Sequence, residues 1–328
     1  MIPPGKLPPE LLARLLDEPK SLPAEILVGP SVGEDGCAID VEGTVLIAAT
    51  DPITFTGASP GRAAVIVNAN DVAVMGARPR WFLSTLLLPP GATEHDAAEL
   101  FAGMREALGE VGAYLVGGHT EVTGAVKQAV VVGHMLGIVE SGGPISTAGL
   151  SAGDLVLQVG PVPVEGGAVL AAAVGGELAR RVRDAFAAAV DAGVPGLSVV
   201  RPALAAAGLG ATAMHDPTEG GLAGGLWELA RAGGVGLRVD PSRVVWFAPG
   251  LEVCATLGAD PWATLASGCL LAAFGPERAA EAAADLKRQG HEVGVIATAE
   301  AGSGVYDRSG EVIREPPFDE VARLLGPH

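Results

Sequence analysis

The stretch Arg62–Pro79, RAAVIVNANDVAVMGARP, constrains this chain more than any other part of it. It reads as a nearly continuous apolar helix stopped by Gly76 and Pro79, and a helix apolar on all sides must be enclosed by protein. Its apolar surface is interrupted only by Asn68, Asn70 and Asp71. Asn68 and Asp71 stand three residues apart and share a face. A carboxylate in such a setting is expensive unless it is paired with a cation or fully hydrogen-bonded. From the spacing alone both roles stay open for Asp71: a cap on a neighbouring loop, or a ligand to a cation.

Around this helix, strands and helices alternate in two cycles. A helix over Pro8–Leu16 is followed by a hairpin whose two segments, VGPSVGEDGCAID and TVLIAATDP, turn at Val41-Glu42-Gly43. Asp51 closes the second of these strands. After the apolar helix come the strand WFLSTLLLP, a helix Glu94–Val111 opened by Thr93 as N-cap, the strand AYLVGG ending in a glycine turn, and the strand AVVVGHMLGIV. Ser141-Gly142-Gly143-Pro144 marks a junction, so the expected domains are 1–145 and 146–328, in keeping with a length of 328 residues. The second cycle runs through strand DLVLQVG, a long alanine-rich helix, strand ATAMH, helix GLWELARAGG, strand LASGCLLAAFG, helix ERAAEAAADLKRQG and strand EVGVIATA. Two mixed domains of the α/β (α+β) class are therefore expected.

Acidic residues recur where these elements end. Asp35 lies in a Gly33-Glu34-Asp35-Gly36 turn, and Asp51 precedes Pro52, which forces its backbone to be extended. Each alone reads as a turn-forming aspartate; together with Asp71 they form a set of hard oxygen donors suited to Mg²⁺ and phosphate. Gly117-Gly118-His119-Thr120-Glu121 offers glycines that let backbone N–H groups approach an anion, or is an ordinary strand-ending turn. His215-Asp216-Pro217-Thr218-Glu219-Gly220-Gly221 leads into a helix with Thr218 as candidate N-cap and Asp216 as turn former or ligand. Gly160–Gly167 carries neither a Lys-Ser/Thr pair nor G-x-G-x-x-G spacing, so it is neither a P-loop nor a dinucleotide fingerprint. His95, His134 and His291 show no partners in the sequence pattern and receive no role.

The net charge of −17 argues against nucleic acid and anionic membranes as partners. It also means that cations must stand between this protein and any nucleotide it handles. Three dispersed cysteines form no Cys-x-x-Cys pair; Cys254 and Cys269, in apolar surroundings, read as core residues. No charge-free apolar run spans a bilayer, and the first residues lack a signal peptide's pattern, so a cytoplasmic protein is expected.

In combination these segments resemble the aminoimidazole-ribonucleotide (AIR) synthetase superfamily, over nearly the whole chain and in the expected order. VGEDGCAI, TDPITF, NANDVAVMGARP, YLVGGHTEV and MHDPTEGGLAGGL carry the resemblance, and the last is similar to the loop of the HypE-like branch. The resemblance implies an N-terminal domain that pairs its sheet across a homodimer, a C-terminal α/β domain, and Mg²⁺-dependent use of ATP. It implies metal binding by Asp35, Asp51, Asp71 and Asp216, and nucleotide contacts from Asn68, Gly117, Gly118 and Thr120. Lys6, in a Gly5-Lys6-Leu7 arm, would fold over the triphosphate or remain a free surface lysine. Catalysis is expected from Asp216, Thr218 and His119, with γ-phosphoryl transfer to a small-molecule or carbamoyl-type oxygen. The alternatives are a non-catalytic maturation partner and a kinase resembling thiamine-monophosphate kinase. His119 stands where many relatives have an acid, and no cysteine follows Cys269 to receive a carbamoyl group, as a HypE requires.

Overall fold

The computed structural model describes residues 7–16, 22–54, 59–191 and 196–326, and Lys6 lies outside them. The chain divides into two compact units. One comprises Pro23–Gly29 and Asp35–Pro144; the other comprises Met1–Leu22, Pro30–Glu34 and Ile145–His328. The first helix, α1 (Pro9–Leu16), is counted with the latter.

The N-terminal unit runs β1 (Ile26–Val28), β2 (Cys37–Val41), β3 (Thr44–Ile53), α2 (Pro60–Val74), β4 (Arg78–Leu88), α3 (Glu94–Val111), β5 (Tyr114–Val122) and β6 (Val130–Ile138). Its six-stranded sheet has the order β1-β2-β3-β6-β4-β5. Only β4 and β5 pair in parallel, because α3 crosses between them. The β2–β3 hairpin turns on Glu42 and Gly43, both at positive φ, with the Asp40 carboxylate accepting from the Gly43 N–H at 2.7 Å. That is the backbone twist tight hairpins prefer. The helix α3 begins with a reciprocal box: Thr93 Oγ1 accepts from the Asp96 N–H, and Asp96 Oδ2 accepts from the Thr93 N–H at 2.7 Å.

Helix α2 is enclosed as its composition demands, with Ala64–Ile66 and Asn68–Val74 all buried. Glycines on the strand beneath it permit the approach. A Cβ at Gly133 would stand 2.3 Å from Asn68 Nδ2, and one at Gly137 would stand 2.4 Å from Val72 Cγ1. Gly61 plays the same part against α3, where a Cβ would lie 2.1 Å from the Leu100 carbonyl oxygen.

The C-terminal unit continues with β7 (Leu155–Val159), α4 (Glu165–Val174), α5 (Gly176–Asp191), α6 (Val200–Gly208), β8 (Ala213–His215), α7 (Gly221–Gly233) and β9 (Gly236–Val239). It closes with α8 (Ala248–Leu257), β10 (Leu270–Phe274), α9 (Pro276–Arg288), β11 (Val293–Glu300), β12 (Gly304–Asp307) and α10 (Glu320–Leu325). The sheet order is β12-β9-β11-β7-β10-β8. One core joins this sheet to α7 through Leu222, Leu226, Leu229 and Ile296; a second gathers α4, α5, α8 and α10 around Leu170, Val182, Val253 and Val321. Cys254 and Cys269 are core residues, and burial pushes the Cys269 thiol far up.

Several local expectations are corrected. Strand β5 does not end at Gly117-Gly118 but runs through both to Val122. Asp51 does not close its strand, since β3 continues through Pro52 to Ile53; Pro52 is tolerated because a strand can use its carbonyl without its nitrogen. The long alanine-rich helix is two helices, α4 and α5, because Gly175 and Gly176 both adopt positive φ. His95 does have a neighbour, Glu99, at 3.4 Å. Among the described residues no helix is long and apolar enough to cross a membrane.

Candidate functional site

The polar residues of α2 meet strand β3 beneath them. Asn68 has no exposed surface, and its amide is fully engaged. Its Oδ1 accepts from the Asp51 N–H at 2.8 Å, while Nδ2 donates to the carbonyls of Ala64 at 2.8 Å and Asp51 at 3.3 Å. An asparagine so enclosed does not reach a ligand; it holds Asp51. The backbone of Asp51 is thereby fixed to α2, and its carboxylate is placed at a defined point of β3.

Asp71 lies one helical turn further on, 7% exposed. One turn beyond it, Met75 touches the Asp35-Gly36 turn: a Cβ at Gly36 would stand 3.0 Å from Met75 Sδ and 2.9 Å from the Ala48 carbonyl oxygen. Asn68, Asp71 and Met75 follow one another along a single helix face. Strand register completes the placement. Cys37 pairs with Ala48, which sets Asp35 beside the Thr50–Asp51 end of β3. The segments bearing Asp35, Asp51 and Asp71 thus converge on one side of α2, within one unit.

The Gly117–Thr120 segment stands elsewhere on the same sheet. Asp51 pairs with Gly133, Gly133 with Ser84, and Ser84 with Gly118, so Asp51 and Gly118 occupy one row three strands apart. At the usual strand spacing that is about 14 Å, too far for both to touch one phosphate. Gly118 is required by packing: at φ 143 its Cβ would lie 2.0 Å from the Ser84 carbonyl oxygen. All nine residues of β5 are exposed, among them Thr120 and Glu121, and His119 Nε2 lies 3.3 Å from Glu121 Oε2.

In the C-terminal unit β8 delivers His215 and Asp216 to the interior, 4% and 3% exposed. His215 Nε2 is 2.9 Å from Glu228 Oε2 on α7. The loop that follows is tightly made. A Cβ at Gly225 would stand 2.4 Å from Pro217 Cβ, and one at Gly221 would stand 2.5 Å from the Trp262 carbonyl oxygen. Thr218 is not the N-cap of α7. That position belongs to Gly220 in the left-handed region, and Thr218 Oγ1 donates to Glu219 Oε2 at 2.9 Å.

Sequence reasoning missed three acids in this unit. Glu34, next to Asp35, binds the Ser146 hydroxyl and accepts from the N–H groups of Thr147 and Ala148 at 3.3 and 3.2 Å, so Glu34 and Asp35 are counted with different units. Asp319 accepts from the Gly220 N–H at 2.9 Å and the Val321 N–H at 2.7 Å. Burial pushes its carboxyl up to about 6 against those two bonds, with Glu219 and Glu320 adding to the rise. Glu165, at the start of α4, is likewise pushed up by burial, opposed by a hydrogen bond with Ser267. The only forward signal for Asp319 was its place before a short apolar run, a helix N-cap pattern.

Comparison with known proteins bears on both units. The N-terminal domain of AIR synthase related proteins matches residues 33–139, and the C-terminal domain of the same proteins matches residues 151–308. A putative hydrogenase expression/formation protein of Methanocaldococcus jannaschii is 26% identical over 84% of this chain and 72% of its own length. The carbamoyl dehydratase HypE of Azotobacter vinelandii is 30% identical over 81% of this chain and 76% of its own. In fold, the chain is similar to the hydrogenase maturation protein HypE crystallised with ATP, with a TM-score of 0.73 at 24% identity, covering 89% of this chain and 91% of that one.

Proposed function

Because the chain belongs to the AIR synthase related family and is HypE-like, we propose that it binds ATP with Mg²⁺ and transfers the γ-phosphoryl group to an oxygen of a small-molecule or carbamoyl-type acceptor. The carrying observation is the clamp of Asn68 on Asp51, with Asp71 next on the same helix face. Hard carboxylates held by backbone and buried helix fit a magnesium–phosphate site, and the residues proposed to hold the ion are Asp35, Asp51 and Asp71. When bound, the ion would neutralise charge on the phosphate oxygens. The protein's own share is positional: Asn68 sets Asp51, and the enclosure of α2 keeps Asp71 in place. Asp216 is further proposed for a metal-binding role and Thr218 for a catalytic one. His119 replaces an acid as proton-handling group.

A second copy of the chain completes this reading. Strand β5 is a sheet edge, with Tyr114 73% and Val116 53% exposed, and an uncovered edge of this kind pairs readily. Pairing through this face would bring the Gly117–Thr120 segment into a composite site. Sedimentation that found only a 32.8 kDa monomer at working concentration would remove the dimer from the proposal.

The nucleotide assignment is tested by calorimetry with the ATP analogue AMPPCP. Binding in 5-fold excess magnesium (a ratio of about 5, set for saturation) and its abolition by EDTA are the expected results. Absence of binding with magnesium present overturns the assignment. His119 in place of an acid favours one rival, a nucleotide-binding maturation partner without turnover. ADP release in the presence of carbamoyl, amide or phosphomonoester acceptors separates the enzyme from that rival.

A further inference from the structure

We propose that Asp319 is a positioning residue, tying the C-terminal helix α10 to the Asp216–Gly221 loop and holding that loop in its working shape. The proposal rests on the role given above to Asp216 and Thr218. Asp319 is 8% exposed and uses its two oxygens differently. Oδ1 accepts from the Val321 N–H and caps α10; Oδ2 accepts from the Gly220 N–H, 99 residues away in sequence. Capping alone does not call for a carboxylate, since Asn and Ser cap as well. What the second oxygen adds is the bond to Gly220, where α7 begins without any side-chain cap of its own.

The surroundings make the carboxylate an unfavourable choice for anything less. Burial is the main penalty on it, and Glu219 on the loop and Glu320 beside it on α10 add negative charge. The helix carrying Asp319 is itself fastened. Glu320 Oε2 accepts from the Asp260 N–H at 3.1 Å, and Arg323 Nη2 donates to the Gly258 carbonyl at 3.1 Å. The segment so gripped continues to Trp262 and Thr264, whose backbone atoms leave no room for a Cβ at Gly221. Gly220 and Gly221 are therefore held from two sides, by Asp319 and by the 262–264 backbone.

The test is Asp319→Asn, which keeps an oxygen to cap α10 but presents an amide to the Gly220 N–H. Hydrogen exchange of the free protein at pH 7 should rise about tenfold across 218–221, the scale of one lost hydrogen bond, while 321–325 exchanges as before. Asp319→Ala should raise both segments. Equal exchange across 218–221 in Asp319→Asn and the unsubstituted protein overturns the tether. In turnover, Asp319→Asn should lower magnesium-dependent ADP release from ATP in the presence of a carbamoyl-type acceptor about tenfold and leave AMPPCP affinity within about twofold. Raised exchange with unchanged ADP release also overturns the positioning role. Failure of the unsubstituted protein to bind AMPPCP sinks the nucleotide assignment instead, and the exchange comparison still decides the tether.

Discussion

Replacing Asp71 by Asn weakens magnesium-dependent AMPPCP binding by at least about 100-fold and leaves the melting temperature nearly unchanged. The substitution alters no volume and keeps one carbonyl oxygen, so α2 stays packed on its sheet. It deletes one negative charge at a buried position, 7% exposed, where solvent screens poorly. A unit charge about 4 Å from an opposite charge at an effective dielectric near 20 contributes about 4 kcal/mol. Loss of even two-thirds of that corresponds to the 100-fold stated. The rival role, a cap on a neighbouring loop, predicts the opposite, because an asparagine caps as well as an aspartate. Calorimetry on the folded variant decides between them: unchanged affinity would leave Asp71 a structural residue and move the metal assignment away from α2.

The second large effect is on stability. Asn68→Leu keeps the branched shape of the side chain and removes all three hydrogen bonds made by the amide. The Asp51 N–H then loses its acceptor beneath α2, and the carbonyls of Ala64 and Asp51 each lose a donor. A buried unsatisfied group costs about 1–3 kcal/mol, so a loss of about 2–4 kcal/mol is expected, read from the midpoint shift in urea at constant slope. AMPPCP binding should fall as well, because Asp51 is no longer pinned. A loss below about 0.5 kcal/mol, the range of an ordinary surface substitution, would show that β3 is fixed by other means and that Asn68 does not position Asp51.

Much of this architecture was legible in the residues. The Glu42-Gly43 hairpin, the Thr93 start of α3 and the enclosure of α2 follow from local rules: φ preference, capping and the period of apolar side chains. The short elements β9, β12 and α10 were not legible. Four to six residues carry little periodicity, and these elements exist because neighbours supply their hydrogen bonds or cover their apolar side chains. The reading of Gly117-Gly118 as the end of a strand failed for a related reason. A double glycine signals close backbone approach, but sequence does not say to what; here the close neighbour of Gly118 is strand β4. The N-cap expectation for Thr218 failed because a hydroxyl that fits a capping pattern found a nearer carboxylate in Glu219. Asn68 was expected to contact a nucleotide, and the fold instead encloses it and gives its amide to Asp51 and Ala64.

By itself the sequence determined the class of fold, the family and the chemical types available to a site: carboxylates that need cations and a helix that must be enclosed. Those depend on composition and on contacts between residues close along the chain. Which carboxylates meet was decided by tertiary structure alone, because strand register and helix facing convert distances of tens of residues into contacts. Register puts Asp51 under Asn68 and sets Gly118 three strands away. It takes the docking of a six-residue helix to bring Asp319 onto Gly220, a contact with no local trace because it is made between segments that share no turn, strand or helix.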